Sequence, residues 1–380
     1  MSSLYRRLHG LFLTNKRYKP AIRVTKATTT AATNEQHLRK MVEKYKKLSE
    51  TPKFRSHRDR YMNVVRRFAS ANMPSLVHEF LEHQKKVDVI TDEEFTAHFI
   101  FLYGRCKMFD HARTLFDEMP QLNCPRTVRS LNSLLSACVN SREFQKIEEI
   151  FRELAPKLGI EPDRVSYNTL VNAFCEMGAL DSVLSVVDEM EKKGIQPDVI
   201  TFNTLLHAFY WSGRFADGEK MWDLMESKDI VPNVRSYNAR MRGLVSEDRL
   251  QEAIGMFDEM KSKGVQPDSI TYNAVIRKFC QDKNLEEAKN WYHKLRENDC
   301  DPDRVTYVTL VPFLSENGEF DMALEMCKEI LKRGLNVQPT LFQHVVDGLI
   351  EESRIEDARV LVKLARSNHH VRYYKLKMPG

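Results

Sequence analysis

The chain of 380 residues is 42% hydrophobic and 29% charged, a balance typical of a folded domain rather than a disordered chain. It carries a formal charge of +5, and no uninterrupted apolar run approaches the roughly 18–20 residues that a membrane-spanning helix requires. The cysteines are odd in number and form no C-x-x-C motif, which argues against a disulfide framework and against a structural zinc site. We expect Cys175 and Cys280 to be small buried hydrophobes.

The first 34 residues differ from the rest because they hold bases and no acid. Leu4, Leu8 and Leu11 share one face of a potential helix, and an amphipathic, Arg-rich, acid-poor segment is typical of an organelle transit peptide. The scarcity of serine favours a mitochondrial over a chloroplast destination, and a basic tail without structure is the alternative. The basic residues are Arg6, Arg7, Lys16, Arg17, Lys19, Arg23 and Lys26.

This segment accounts for +7 of the formal charge, so the remaining residues carry −2. Such a near-neutral body argues against strong electrostatic binding of nucleic acid. Residues 35–57, which are rich in Lys and Glu, are expected to form a lead-in helical segment.

One short sequence motif recurs through the middle of the chain. PDVITFNTLL at 197–206 has close copies at 162, 232, 267 and 302, so each step is 35 residues. A fixed period of this length predicts a solenoid or another repeat array rather than independent domains.

Each repeat reads as two short helices. In residues 164–198 the apolar residues recur at helical spacing in two stripes, and Gly178 and Gly194 follow them as stop signals. Pro197-Asp198 then turns the chain and caps the next helix. Helices of about 12–14 residues are marginal alone, so neighbouring pairs must stack. The stripes are Tyr167, Leu170, Val171, Phe174 and Cys175, then Leu180, Val183, Leu184, Val187 and Met190.

The same template extends over residues 58–373 as about nine units, and residues 374–380 form a tail. The unit at 128–163 is one residue longer than the others, and we expect the extra residue near Ala155-Pro156. The outermost units depart most from the template, as the caps of a solenoid do.

The P-D-x-x-T-Y-N motif on a 35-residue helical hairpin resembles the repeat of the pentatricopeptide repeat family. The resemblance is in particular to the plain class of this family, in which every repeat has 35 residues and which is common in plant organelles. The resemblance covers roughly residues 58–373. It implies an all-α, right-handed α-solenoid that reads single-stranded RNA at about one base per repeat.

The resemblance also implies which residues read bases: the residue after the Tyr of the first helix, and the last residue of the same repeat. An Asn amide carries both a donor and an acceptor for a pyrimidine edge, and a neighbouring carboxylate favours one orientation of the amide. Asn with Asp implies U and Asn with Asn implies C or U, so the expected site is UUYUU, with Y a pyrimidine. The pairs are Asn132 with Asp163, Asn168 with Asp198, Asn203 with Asn233, Asn238 with Asp268, and Asn273 with Asp303. The alternative is that each Asn is a solvated polar residue and each partner only a helix cap.

Two further positions bear on RNA binding. Three residues before each reader Asn, the family places residues that sandwich the bases; here these are Arg129, Val165, Ile200, Arg235 and Ile270. Eight residues after the reader, many members place a phosphate-binding Lys, but this chain has no base there, which predicts weak binding of free RNA. The residues at that position are Asn140, Glu176, Trp211, Ser246, Gln281 and Glu316.

Two functions remain open from the sequence. One is a mitochondrial RNA-binding protein that holds a short pyrimidine-rich stretch and acts in RNA metabolism or translation. The other is a structural subunit of the mitochondrial ribosome, in contact with ribosomal RNA and ribosomal proteins. No metal-ligand cluster, Gly-rich phosphate loop or nucleophile–base motif is present in the sequence, so we expect no enzyme, no cofactor, no small-molecule substrate and no membrane partner.

Overall fold

The computed structural model describes residues 27–86, 88–368 and Leu376, and these contain helices and no strands. The predicted all-α fold is therefore confirmed. The helices are Ala27–Ser49, Pro52–Arg55, Arg58–Ser70, Pro74–Gln84, a 3₁₀ turn at Asp88–Thr91, Glu93–Arg105, Phe109–Glu118, Val128–Ser141, Phe144–Glu149, a π-helical turn at Ile150–Leu154, Ala155–Lys157, Arg164–Glu176, Leu180–Lys192, Val199–Trp211, Phe215–Ser227, Val234–Ser246, Leu250–Ser262, Ser269–Gln281, Leu285–Glu297, Arg304–Glu316, Phe320–Arg333, Pro339–Glu351 and Ile355–Ser367.

The chain divides into two compact units, Met1–Lys146 and Ile147–Gly380. In the first unit, helix pairs begin at Arg58 and Glu93, and a third begins at Val128. The second unit contains six pairs, in which each first helix contacts its own second helix and the first helix of the next pair. The described residues thus contain nine helix pairs, the number expected from the sequence.

The first helix of each central repeat begins where the sequence predicts. Asp198 is the N-cap of Val199–Trp211, and its carboxylate accepts hydrogen bonds from the backbone N–H groups of Ile200 and Thr201 at 3.0 and 3.1 Å. The Thr201 hydroxyl in return accepts the N–H of Asp198 at 3.1 Å, which completes a capping box. The same box recurs at the caps Asp163, Asn233, Asp268 and Asp303.

The predicted stripes form most of the core of the repeat at 164–198. All of their members are buried except Cys175, which is half-buried, and Leu184, which is exposed. The prediction for Leu184 was wrong because this residue lies about 100° around the helix from buried Val183, and Val186 fills the core instead.

The cysteines at 175 and 280 are half-buried rather than fully buried as predicted. Burial raises the pKa of the Cys175 thiol to about 12 and that of Cys280 to about 11, so both stay protonated at neutral pH. They serve as small packing residues.

The extra residue of the 128–163 repeat coincides with a π-helical turn. The Ala155 N–H bonds the carbonyl of Ile150, five residues back, just before Pro156. Proline has no N–H to donate to the carbonyl four residues back. The π-helical turn therefore accommodates both the inserted residue and the missing hydrogen-bond donor.

Tight turns between the helices use the left-handed region. Gly178 has φ of 72°, as befits a helix-ending glycine, but the equivalent position in a later repeat holds Lys283 at φ of 58°. None of the described helices is both long and apolar enough to cross a membrane.

The termini lie largely outside the described residues. The predicted transit peptide spans residues 1–34, and the first described helix, Ala27–Ser49, runs from inside that range into the predicted lead-in segment. Of the predicted tail at 374–380, only Leu376 is described. These boundaries remain predictions.

Candidate nucleic-acid interface

The four predicted reader pairs that lie within the second unit are in direct contact. The side-chain amides of Asn168, Asn203, Asn238 and Asn273 each donate from Nδ2 to Oδ1 of the partner 30 residues later. The four distances are 3.2 Å to Asp198, 3.2 Å to Asn233, 3.1 Å to Asp268 and 3.0 Å to Asp303. The fold therefore brings together the residues that the family resemblance singles out.

The side-chain oxygen of the partner residue accepts hydrogen bonds both from a helix N-terminus and from the reader amide. Oδ1 of Asp198 caps the helix Val199–Trp211 and also accepts a hydrogen bond from the amide of Asn168, on the preceding first helix. The last residue of one repeat thereby caps the first helix of the next repeat and orients the reader of its own repeat. The two interpretations of Asp198 from the sequence, a base selector or a helix cap, are therefore compatible.

A third residue, which the sequence reasoning missed, holds the other end of three of the four amides. The hydroxyls of Thr201, Ser236 and Thr271 donate to Oδ1 of the preceding reader Asn at 2.5, 2.6 and 2.7 Å. These hydroxyl-bearing residues are fully buried. The signal was present in the sequence, since a Ser or Thr stands three residues after each cap. With both ends bound, the amide cannot flip, and it keeps one N–H and one lone pair for a base edge.

Asn273 departs from this arrangement. The hydroxyl of Thr306 donates to Asp303 Oδ1 at 3.1 Å, and Oδ1 of Asn273 has no hydrogen-bond partner although the residue is only 7% exposed. A buried acceptor without a partner costs about 1–3 kcal/mol, so a donor that reached it would be bound favourably.

The neutral partner Asn233 acts like the carboxylates. Its Oδ1 accepts the backbone N–H groups of Arg235 and Ser236 at 2.9 and 3.3 Å, which fixes the oxygen toward the helix and toward Asn203. Asn203 is therefore oriented as the other readers are. Asn233 differs from the three Asp partners in that it is uncharged and has an amide nitrogen in place of the second carboxylate oxygen.

The electrostatics of two cap carboxylates are perturbed. Burial alone would raise the pKa of Asp198, but hydrogen bonds from the Thr201 backbone, the Asn168 amide and the Thr201 hydroxyl outweigh it and hold the pKa below its usual range. The same balance of burial against hydrogen bonds, from Thr306 and Asn273, lowers the pKa of Asp303.

The fifth predicted pair is divided between the two compact units. Asn132 belongs to the first unit, and Asp163 belongs to the second, where it caps its own helix by accepting the Ser166 N–H at 2.9 Å. Arg129, a predicted base-sandwiching residue, forms an ion pair with Glu94 at 2.9 Å within the first unit. Its guanidinium is therefore engaged by a carboxylate.

The other predicted base-sandwiching residues lie at the surface. Val165, Ile200 and Ile270 are exposed, with Ile200 at 58%, and Arg235 is exposed too. Val305 continues the same row and was not predicted, because the repeat that contains it lacks a reader Asn. Aliphatic residues repeated on one surface without a protein neighbour are a feature of binding surfaces.

The position eight residues after the readers bears no cation in the second unit, as the sequence shows: it holds Glu176, Trp211, Ser246, Gln281 and Glu316. Basic residues stand instead four residues after three of the readers, at His207, Arg242 and Arg277. The sequence reasoning missed this second row, although the spacing of one helical turn was visible.

Comparison with known proteins agrees with this architecture. The sequence model described as "PPR repeat family" matches residues 126–176, 162–210, 197–246, 232–281 and 267–315, and a related model described as "PPR repeat" matches residues 98–124 and 305–335. The chain belongs to the pentatricopeptide repeat (PPR) family. The resemblance inferred from the sequence is thus confirmed.

Two similar PPR relatives come from Arabidopsis thaliana. The small ribosomal subunit protein mS79 (rPPR3b) is 42% identical over 206 residues, which cover 51% of this chain and 52% of that protein. The pentatricopeptide repeat-containing protein At3g13150 is 41% identical over 215 residues, or 50% of this chain and 39% of that protein. The matched part of this PPR chain spans about half the length of these relatives or less.

Among solved structures, the chain is similar to the pentatricopeptide repeat protein PPR10 from maize. The TM-score is 0.49 at 22% identity, and the match covers 78% of this chain and 46% of that one.

Proposed function

We propose that this PPR protein binds single-stranded, pyrimidine-rich RNA through the surface that carries Asn168, Asn203, Asn238 and Asn273. The observation that supports the proposal most is that four successive amides are held in one orientation by the next helix cap. A fixed amide discriminates between base edges, whereas a solvated amide that can flip does not. The four pairs of the second unit imply the site UYUU, with Y a pyrimidine.

The exposed residues at 165, 200, 235 and 270 would stack against the bases that the amides read. Each stacked base contributes about 1–3 kcal/mol before the cost of ordering the strand. A micromolar dissociation constant corresponds to about 8 kcal/mol, which four stacked bases can reach. Catalysis is not part of the proposal.

We propose the mitochondrion as the location. Several relatives carry that destination in their names, among them the pentatricopeptide repeat-containing protein At2g18520, mitochondrial, which is 36% identical over 131 residues. The basic, acid-free first 34 residues support the same destination.

A second candidate is a structural role in the small subunit of the mitochondrial ribosome. It is favoured by the identity to mS79 and by the 40% identity over 209 residues to a second small ribosomal subunit protein, mS78 (rPPR3a). Both candidates involve RNA contact. They differ in whether the protein stays on a ribosomal particle through a high-salt wash, which sedimentation of tagged protein from mitochondria measures.

The test of RNA reading is binding of the chain to RNA containing UUYUU against an A-rich control. In the family code a reader Ser favours purines, so an Asn203→Ser, Asn238→Ser double variant should shift the preference from U toward purines at two positions. Asn290→Ser, on a second helix, is a matched control and should change nothing. If the affinity for RNA depends neither on the base nor on the reader substitutions, base reading is refuted and the ribosomal role is the candidate to test.

A further inference from the structure

The strongest unexplained feature of the second unit is a stack of three side chains from two adjacent repeats. The ring of His207 lies on Trp211, with centroids 5.5 Å apart and planes at 22°. Cζ of Arg242 lies 3.2 Å from the centre of the Trp211 ring. Trp211 nevertheless remains 46% exposed, so the stack is at the surface and not in the core.

The stack lies on the surface that carries the readers. Arg242 follows the reader Asn238 by four residues on the same helix, which places the two on one face about 6 Å apart along the axis. Arg277 follows Asn273 in the same way in the next repeat. Any strand read by Asn238 and Asn273 would pass beside both guanidinium groups.

These arginines differ from the basic residues around them. Arg240 is bound to Glu219 at 2.8 Å, and Lys278 is bound to Asp248 and Asp282, each at 2.6 Å. Within the part of the chain that the structure describes, neither Arg242 nor Arg277 has an ion pair or a hydrogen-bonded side-chain partner.

The two unpaired charges also act on each other. Partial burial and then the charge of Arg277 lower the pKa of Arg242 from its ordinary value. Burial, followed by the charge of Arg242, lowers the pKa of His207, so the imidazole is neutral at pH 7. Two like charges on one face of two adjacent first helices, neither with an ion-pair partner among the described residues, form a site that favours an anion.

The geometry of the stack leaves the donors available. A guanidinium presents its five N–H groups in the plane of the group, so stacking on an indole occupies its face and leaves its edges open. Trp211 thus holds the planar group of Arg242 in place without using its donors. Such a preorganised planar donor matches a carboxylate or a phosphate, and phosphate is the anion that an RNA strand supplies.

We propose that Arg242 and Arg277 bind backbone phosphates of the RNA that crosses this surface, with Trp211 as the residue that positions Arg242. The inference rests on the proposed RNA-binding function and specifies its electrostatic contribution. The cations that are absent eight residues after each reader are replaced, in two repeats, by arginines one turn nearer to the readers. The negative neighbours Glu176 and Glu316 confine this contact to the middle of the row.

The test measures salt dependence with two probes: a UUYUU-containing RNA, and an oligomer of abasic deoxyribose phosphates that has a backbone and no bases. An Arg242→Gln, Arg277→Gln double variant should flatten the slope of log K against log salt by about 1.4, since each phosphate contact on a single strand contributes about 0.7. Between 50 and 200 mM salt, affinity would then fall about sevenfold less than for the wild type. An Arg249→Gln, Arg296→Gln variant removes the same charge at the N-cap of one second helix and within another, where both arginines are ion-paired, and should keep the wild-type slope.

The role of Trp211 has a separate readout. The abasic oligomer should change the tryptophan emission of the wild type, and Trp211→Leu should lose this change because Trp222 and Trp291 are buried. If the arginine variant flattens the slope for the abasic oligomer but U-rich and A-rich RNA bind equally, the phosphate site stands and base reading fails. Identical slopes for the arginine variant and its charge-matched control, or no binding of either probe by the wild type at low salt, would overturn the phosphate site.

Discussion

The cap at Asp198 offers a substitution whose effect can be worked out from its hydrogen bonds. Asp198→Ala removes the acceptor for the N–H groups of Ile200 and Thr201 and for the amide of Asn168. Loss of an N-cap costs about 1 kcal/mol, and the unmade amide bond adds about 0.5–1.5 kcal/mol. We therefore expect a loss of about 2 kcal/mol. Asp198→Asn should cost about 0.5 kcal/mol, because Asn caps as well as Asp and only the charge at the helix N-terminus is lost.

The local loss of stability can be measured by native-state hydrogen exchange and mass spectrometry of peptides from the helix Val199–Trp211. A local loss of about 2 kcal/mol corresponds to exchange about thirtyfold faster, whereas the Asn variant should change by about twofold. Asp258→Ala, at an exposed site within a second helix, is the control and should leave this helix unchanged. Equal effects of the Ala and Asn variants would refute the view that one cap oxygen orients the reader. In RNA binding, Asp198→Asn should keep a pyrimidine preference that Asp198→Ala loses.

Other expectations follow from packing, backbone conformation and titration. Gly243→Ala should destabilise the second unit by about 1–3 kcal/mol, because the new methyl would overlap the ring of Tyr210, and adding Tyr210→Val should restore stability in urea unfolding. Lys283→Gly should raise stability by about 1 kcal/mol in the same assay, since φ at this position is 58° and glycine adopts it without strain. The depressed pKa values of Asp198 and Asp303 stabilise the fold above the unfolded-state value of about 3.9, and this contribution is lost as pH falls through the folded values. Thermal midpoints from pH 7 down to about pH 3 should therefore fall more for the wild type than for the Asp198→Asn, Asp303→Asn variant; parallel curves would contradict the assignment.

Much of the fold could be predicted from the sequence because its determinants are local. The caps, the helix-ending glycines and the apolar stripes each depend on residues close together in the sequence, and the 35-residue period presents the same pattern several times. The contact between reader and cap was also predictable, since the family resemblance names both residues.

What could not be predicted depends on how neighbouring repeats stack. Tyr210 is a large residue where other repeats have Cys175 or Cys280, and it is accommodated only because Gly218 and Gly243 lie against its ring. The stacking of Arg242 on Trp211 likewise joins residues of two repeats that no local pattern connects. The hydroxyl of Thr201 was visible as part of a capping box, but its bond to Asn168 is a contact between repeats.

The sharing of Oδ1 between cap and reader has a consequence for anyone who recombines such proteins. The atoms that orient one reading amide come from two consecutive repeats: Asn168 and Asp198 from one, and Thr201 from the next. A graft joined at Pro197 would separate the amide from both groups that hold it. A graft joined after residue 201 would transfer the amide together with both groups. The segment to exchange when changing the specificity for one base therefore does not coincide with one repeat, because it ends inside the first helix of the following repeat.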